Sequence, residues 1–224
     1  MLNVPVNTLI FDLDNTLIDR NLAMHNAIGD WLYTQGWNEQ QSEAALNKIM
    51  LQDDWGYASR TAFCNWLLLT YGNGHSREIS PQKLLDILLK NIIPHIHPDS
   101  LISDTLQTAS RYFRLVLATN GGSITQRAKL KQAKLLSFFQ PEDIFISQEV
   151  GFDKPDIRFY KKIIENLRLV PADAMVIGDN PVNDIQAAAA SDLLTCWVSH
   201  GREQPNEIRP NHIITNITAI NQWR

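Results

Sequence analysis

The sequence predicts an α/β fold. The chain enters a parallel sheet near residue 8, leaves it for a helical insert, and resumes it from about residue 98. Three observations carry this. Short apolar runs recur at 8–13, 115–120, 143–147, 174–179 and 193–199, and several end in Asp, Asn, Ser or Gly. Helix-patterned segments separate the later runs. Between residues 20 and 97 no convincing strand occurs and amphipathic helical spacing prevails. Residues 1–19 with 98–224 are therefore assigned to one domain and 20–97 to a second.

The elements follow in order. Thr8-Leu9-Ile10-Phe11 reads as a short buried strand running into "DLDNT", residues 12–16. Side chains two apart on a strand share a side, so Asp12 and Asp14 sit together where the strand ends. Carboxylates that close raise each other's pKa unless a cation separates them, which suits a metal, a shared proton, or both. The plainer alternative is a turn, where Asp and Asn are common. The insert offers four amphipathic helices, the last opened by Ser80 as N-cap with Pro81 at the first helical position. Residues 72–78 read as a turn or loop. Trp31, Trp37, Trp55 and Trp66 fall in the insert and are assigned to its core. His95 and His97 are assigned to a loop rather than a metal site. After the second run, residues 123–139 read as one helix with a basic middle. Residues 156–169 place Phe159, Ile163 and Leu167 on one face, and 183–192 form a small-residue helix. The tail reads as one more strand and a terminal helix.

Composition narrows the function classes. Apolar residues are 44% and charged residues 20% of 224, enough to bury a sizeable core. The net charge of −4 without a basic stripe argues against a nucleic-acid polymer as partner. Cys64 and Cys196 stand far apart without a CxxC, which argues against a disulfide framework and a zinc site. No stretch approaches the ~18 apolar residues of a membrane span. The first residues lack a basic n-region. A cytoplasmic protein that makes no membrane contact is expected.

The strand ends, read together, carry the chemistry. One Rossmann-like sheet brings to one edge Asp12 and Asp14, Thr119-Asn120-Gly121, Lys154 before Pro155, and Asp179 with Asp184 in "GDNPVND". Each alone also fits a plainer role. Lys154 fits a surface lysine, 119–121 a strand exit, Asp179-Asn180-Pro181 an Asx turn, and Asn183 or Asp184 a helix cap.

The four segments "DLDNT", "LVLATN", "KP" and "GDNPVND", in this order, resemble the haloacid dehalogenase superfamily of aspartate-nucleophile phosphohydrolases. The resemblance covers residues 1–20 and about 98–200, and the insert stands where that family carries a helical cap. It implies Asp12 as nucleophile, forming an aspartyl-phosphate, and Asp14 as general acid and base. It implies Mg2+ held by Asp12, the Asp14 main-chain carbonyl and Asp179, with Asp184 binding a metal water or orienting Lys154. Lys154 would neutralise Asp12 and the phosphoryl oxygens. Thr119, with main-chain N–H groups at Asn120 and Gly121, would donate to the transferring group. Dehalogenases of the superfamily lack the second Asp, so Asp14 favours phosphoryl transfer.

A second resemblance bears on substrate. "SQEVGFDKPD" and "TCWVSHGREQP" are similar to segments of bacterial pyrimidine 5'-nucleotidases of the same superfamily. It implies a small phosphorylated metabolite, nucleoside 5'-monophosphates first. A sugar-phosphate phosphatase, a phosphomutase, or a non-catalytic phosphate-binding module on the same fold are the alternatives.

Overall fold

Six short strands form one parallel sheet: β1 (Thr8–Phe11), β2 (Arg114–Thr119), β3 (Ile144–Ile146), β4 (Ala174–Gly178), β5 (Leu194–Val198) and β6 (His212–Ile214). Their order is β3-β2-β1-β4-β5-β6, the doubly wound arrangement in which the connection direction reverses beside β1. The computed structural model describes residues 6–223; residues 1–5 and 224 of the expected core lie outside the described residues. β1 is buried throughout, as a strand covered on both faces must be. Phe11 pairs with Leu117 on one side and Ile177 on the other. That register sets the ends of β1, β2 and β4 side by side, and the Asp12 N–H extends the ladder by donating to the Ile177 carbonyl at 2.9 Å.

By contacts the chain divides into two compact units, one running to Ile18 and resuming at Pro98, the other spanning Asp19–His97. The second unit is helical: α1 (Arg20–Thr34), α2 (Glu39–Asp53), α3 (Arg60–Tyr71) and α4 (Pro81–Asn91). Ser80 caps α4 by accepting from the Lys83 N–H at 3.1 Å, with Pro81 at the first position. A short 3-10 turn, Ser76–Glu78, occupies the expected loop. The tryptophans do not form a common core. Trp31 is buried, whereas Trp37 and Trp66 are half-buried, each 5.4 Å from the Tyr71 ring centroid. Trp55 is half-buried in a left-handed turn at φ 57°. His95 ends a short 3-10 turn, Ile93–His95, and its Nε2 lies within hydrogen-bond distance of Asp30 Oδ2 at 2.7 Å.

A buried ion triad ties this unit together. Asp53 is fully buried and bonds both Arg20 and Arg60, the latter at 2.7 Å. Burial alone would raise its pKa, but the two guanidiniums prevail and hold it below the usual carboxylate range. Its contribution is therefore present above the unfolded carboxylate pKa of about 4 and is lost as pH falls through the lower native value. Asp53→Asn should lower the stability of this unit by about 3 kcal/mol at neutral pH and flatten its loss below about pH 4. Tryptophan fluorescence, dominated by this unit, would follow both.

In the first unit, α5 (Ser100–Ala109), α6 (Ser123–Gln132), α7 (Ser147–Val150), α8 (Ile157–Leu167) and α9 (Ala187–Ala189) accompany the sheet. Phe159, Tyr160 and Ile163 of α8 pack with Ile10, Val116 and Val176 of the strands, and the small Ala187 and Ala188 join the same cluster. Leu167 is only partly buried against it. Two helices differ from the sequence expectation. α6 stops at Gln132, not near 139, because Lys134 turns left-handed at φ 58°. The Leu135 N–H then returns to Leu130 O at 2.9 Å and the Lys134 N–H to Lys131 O at 3.1 Å, the two bonds of a Schellman ending. The segment expected as a helix from 183 begins earlier, as a π-helical turn over Pro181–Gln186. Asn180 is its cap, accepting from Val182 and Asn183 N–H groups at 3.0 and 2.9 Å. The tail carries β6 and a 3-10 turn, Ile217–Gln222, in place of a terminal α-helix. No helix among the described residues is long and apolar enough to cross a membrane.

Candidate active site

The carboxyl edge of β1, β2 and β4 collects the candidate residues of the first unit. Beyond β1 the chain turns tightly: the N–H groups of Thr16, Leu17 and Ile18 all donate to Leu13 O. Asn15 takes the left-handed conformation at φ 58°. Leu13 is fully buried between the two aspartates.

Lys154 is the centre of the site. Its ammonium is 2.7 Å from Asp12 Oδ1, 2.7 Å from Asp184 Oδ1 and 2.8 Å from the Ala118 carbonyl. These three acceptors use all three of its protons. Its main chain is clamped by Asn120, whose Nδ2 donates to Lys154 O and whose Oδ1 accepts from Lys154 N, both at 2.8 Å. Burial works against the lysine's charge, but Asp12 and Asp184 prevail and raise its pKa well above the usual value. Burial, with Asp184 and Asp14 nearby, pushes Asp12 up to about 7 against the pull of Lys154. A cation beside Asp12 would shift it back toward the carboxylate.

Asp184 reaches this position because of a glycine. A Cβ on Gly178 would lie 2.3 Å from Asp184 Cγ, so only glycine before Asp179 admits that carboxyl group. The second Asp184 oxygen accepts from the Asn180 N–H at 3.0 Å. Gly178→Ala should push Asp184 off Lys154 and lower kcat/KM by about 10²-fold, the scale of an ångström-sized misplacement. Steady-state kinetics beside a circular dichroism spectrum would check it.

Asp179 is fixed through its carbonyl, which accepts from Trp197 Nε1 at 2.9 Å and from Arg202 at 2.8 Å. Arg202 also lies over the Trp197 ring, 5.6 Å from its centroid. Oxygen atoms of Asp12, Asp179 and Asp184 lie within 4.8 Å of one another, all three residues buried. An all-carboxylate donor set suits a hard divalent cation such as Mg2+ rather than zinc. Thr16 Oγ1 is buried without a hydrogen-bond partner among the described residues, in the loop that carries Asp14.

The other candidates are placed as follows. Asp14 pairs with Lys129, whose Nζ lies 2.7 Å from each carboxylate oxygen, and accepts from Gln126 Nε2 at 3.1 Å. Thr119 is buried and accepts from the same Gln126 nitrogen at 2.7 Å. The Asn120 side chain serves Lys154, which leaves the expectation for its main-chain N–H untouched. One expectation changes. The Gly121 N–H, expected for phosphate, donates to Ser147 Oγ at 2.9 Å, because the exit from β2 packs on the start of α7. Lys129, Gln126, Ser147, Trp197 and Arg202 were not singled out as site residues in the sequence.

This arrangement defines an α/β protein with an acidic, lysine-centred site at the carboxyl edge of its sheet. A family profile described as haloacid dehalogenase-like hydrolase matches residues 9–198, and the chain belongs to that family. It is 29% identical to the HAD-hydrolase YfnB of Bacillus subtilis, over 95% of this chain and 93% of that one. It is 26% identical to the pyrimidine 5'-nucleotidase PynA of Streptococcus pneumoniae, over 91% and 89%. A crystal structure of YfnB bound to magnesium superposes with a TM-score of 0.78, covering 96% of each chain at 24% identity. The similarity to a pyrimidine 5'-nucleotidase agrees with the resemblance seen in the sequence.

Proposed function

We propose that this hydrolase is a Mg2+-dependent phosphomonoesterase that works through an aspartyl-phosphate, with nucleoside 5'-monophosphates as its first substrate class. The single observation that carries the reading is a buried aspartate, Asp12, held 2.7 Å from a buried ammonium and followed two residues on by a second carboxylate. Asp12 attacks phosphorus, and the ester bond to the leaving oxygen breaks. Asp14 gives a proton to that oxygen and then takes one from the water that hydrolyses the acyl phosphate. Lys154 offsets the charge on Asp12 and on the phosphoryl oxygens, and Thr119 donates to the phosphoryl group. Asp12, Asp179 and the Asp14 carbonyl would hold the metal, with Asp184 orienting Lys154 or holding a metal water; when bound, the metal would neutralise negative charge shared by carboxylates and phosphate.

The relatives support the class. PynA is a nucleotidase, and YfnB has been crystallised with magnesium. The helical unit 19–97 is proposed as the cap that reads the leaving group. Its open pocket of about 560 Å3 between Leu22, His25, Asn47, Leu51 and Trp55 offers an aromatic face with polar edges, the chemistry a nucleobase takes.

Phosphate release from a panel of nucleoside and sugar monophosphates, with Mg2+ and with chelator, tests this. Metal-dependent release led by nucleotides is expected. Release from sugar phosphates alone would overturn the nucleotide assignment, and release from none would overturn the phosphatase.

A further inference from the structure

We infer that Lys129, with Gln126, is a positioning residue that aims the Asp14 carboxylate at the leaving oxygen. The inference rests on the phosphatase reading and deepens it. Lys129 is a lysine with 4% of its side chain exposed, on α6, outside the motifs that define the site. Its ammonium is 2.7 Å from both Asp14 oxygens, which fixes the plane of the carboxylate. Gln126, one turn earlier, holds one of those oxygens and Thr119 Oγ1 with a single amide nitrogen. The two proposed partners of the phosphoryl group, Asp14 and Thr119, are thus tied to one helix face.

Two features keep that face in place. The Schellman ending after Gln132 locks the last turn of α6, and Lys129 O accepts from the Ala133 N–H at 2.9 Å. At the other end Gly121, at φ +133°, makes room for Gln126, whose Cδ would lie 3.2 Å from a Cβ placed there. An ion pair between a buried lysine and a partly exposed carboxylate is a poor stability device, because desolvating the lysine offsets the attraction. What the pair provides is orientation. An aspartate in a turn has two side-chain torsions to fix, and proton transfer needs a donor within hydrogen-bond reach of the leaving oxygen.

The step places the proton explicitly. Asp12 Oδ forms a bond to phosphorus, the bond from phosphorus to the ester oxygen breaks, and the Asp14 proton moves to that oxygen. A primary alkoxide cannot leave without it. A p-nitrophenolate, whose charge is delocalised, can. Loss of aim at Asp14 is therefore felt selectively by alkyl esters, a selectivity that a merely structural role does not produce.

The experiment compares kcat/KM for a nucleoside 5'-monophosphate and for p-nitrophenyl phosphate in wild type, Lys129→Met, Lys129→Arg and Gln126→Leu. The ratio of the two constants cancels the concentration of active enzyme, so partial misfolding does not alter it. Lys129→Met should lower the alkyl-to-aryl ratio at least about ten-fold, within the range of general acid catalysis. Lys129→Arg should bring it back to within about three-fold of wild type, since the charge and donors remain. Should Lys129→Met give no folded protein, Gln126→Leu decides, with a fall of about three-fold expected. A ratio unchanged in these variants, or both substrates falling in parallel, would overturn the positioning role while leaving the phosphatase intact. Wild type inactive on both substrates would instead remove the phosphatase reading and this inference with it.

Discussion

Asp12→Asn should reduce phosphate release by at least about 10³-fold, the scale expected when a covalent nucleophile is removed. An amide oxygen does not attack phosphorus at a useful rate. The substitution is close to isosteric, and the amide oxygen can still accept from Lys154, which keeps Asp184 and the Ala118 carbonyl as further partners. It also removes one of the crowded carboxylates near Lys154, a group that burial and its acidic neighbours push up to about 7. The fold should therefore survive, and the melting temperature should stay within a few degrees of wild type. The informative pattern is a folded protein without activity, and without the acid-stable, base-labile signal of an acyl phosphate when substrate is added. Retention of a tenth of wild-type turnover would place the nucleophile elsewhere. Such a result would leave Asp12 as no more than a metal-side carboxylate.

How much of this was legible in the sequence depends on the kind of signal. The gathering of Asp12, Lys154, Asp179 and Asp184 was legible because a parallel sheet presents all its strand ends at one edge. Each residue directly follows, or lies a few positions beyond, an apolar run. Lys129 and Gln126 were harder to see, because the basic middle of residues 123–139 reads as a solvated face. A stripe reading would have found them. Gln126, Lys129, Leu130 and Ala133 stand at i, i+3, i+4 and i+7, and all four are buried. A lysine and a glutamine on the buried stripe of a helix call for partners, here Asp14 and Thr119. The end of α6 was hidden because Lys134, not glycine, takes the left-handed position. The π-helical turn at Pro181 was hidden because apolar period does not separate a π turn from an α turn, although its cap is local, Asn180 accepting from Val182 and Asn183 N–H groups. Trp197 lay in the apolar run 193–199, read only as a strand, and Arg202 in a segment quoted for its resemblance. Their role, holding the Asp179 carbonyl, becomes visible when β5 is placed beside β4.

Lys154→Met should be the most damaging single change to the stability of the first unit. Its ammonium is buried with three acceptors, two of them carboxylates. Removing it leaves Asp12 and Asp184 facing each other and the Ala118 carbonyl without that donor. Breaking a buried pair on one side typically costs about 3–5 kcal/mol, because an uncompensated charge stays behind. For a chain of 224 residues that corresponds to a drop in Tm of roughly 10 °C. Activity should fall by at least about 10²-fold, since the counter-charge for the attacking carboxylate is lost as well. The variant should also respond more strongly to Mg2+ than wild type. With the lysine gone, oxygens of Asp12, Asp179 and Asp184 still converge within 4.8 Å, and Arg202, 3.6 Å from Asp179 Oδ2, offsets only part of their charge. A cation that binds the folded chain there raises its stability by mass action. Thermal melts with chelator and with millimolar Mg2+ separate these effects. A Lys154→Met melt equal to wild type in chelator would contradict the central place given to this ammonium. A deep loss in chelator, partly recovered by Mg2+, would mean that lysine and metal share the task of holding three buried carboxylates together.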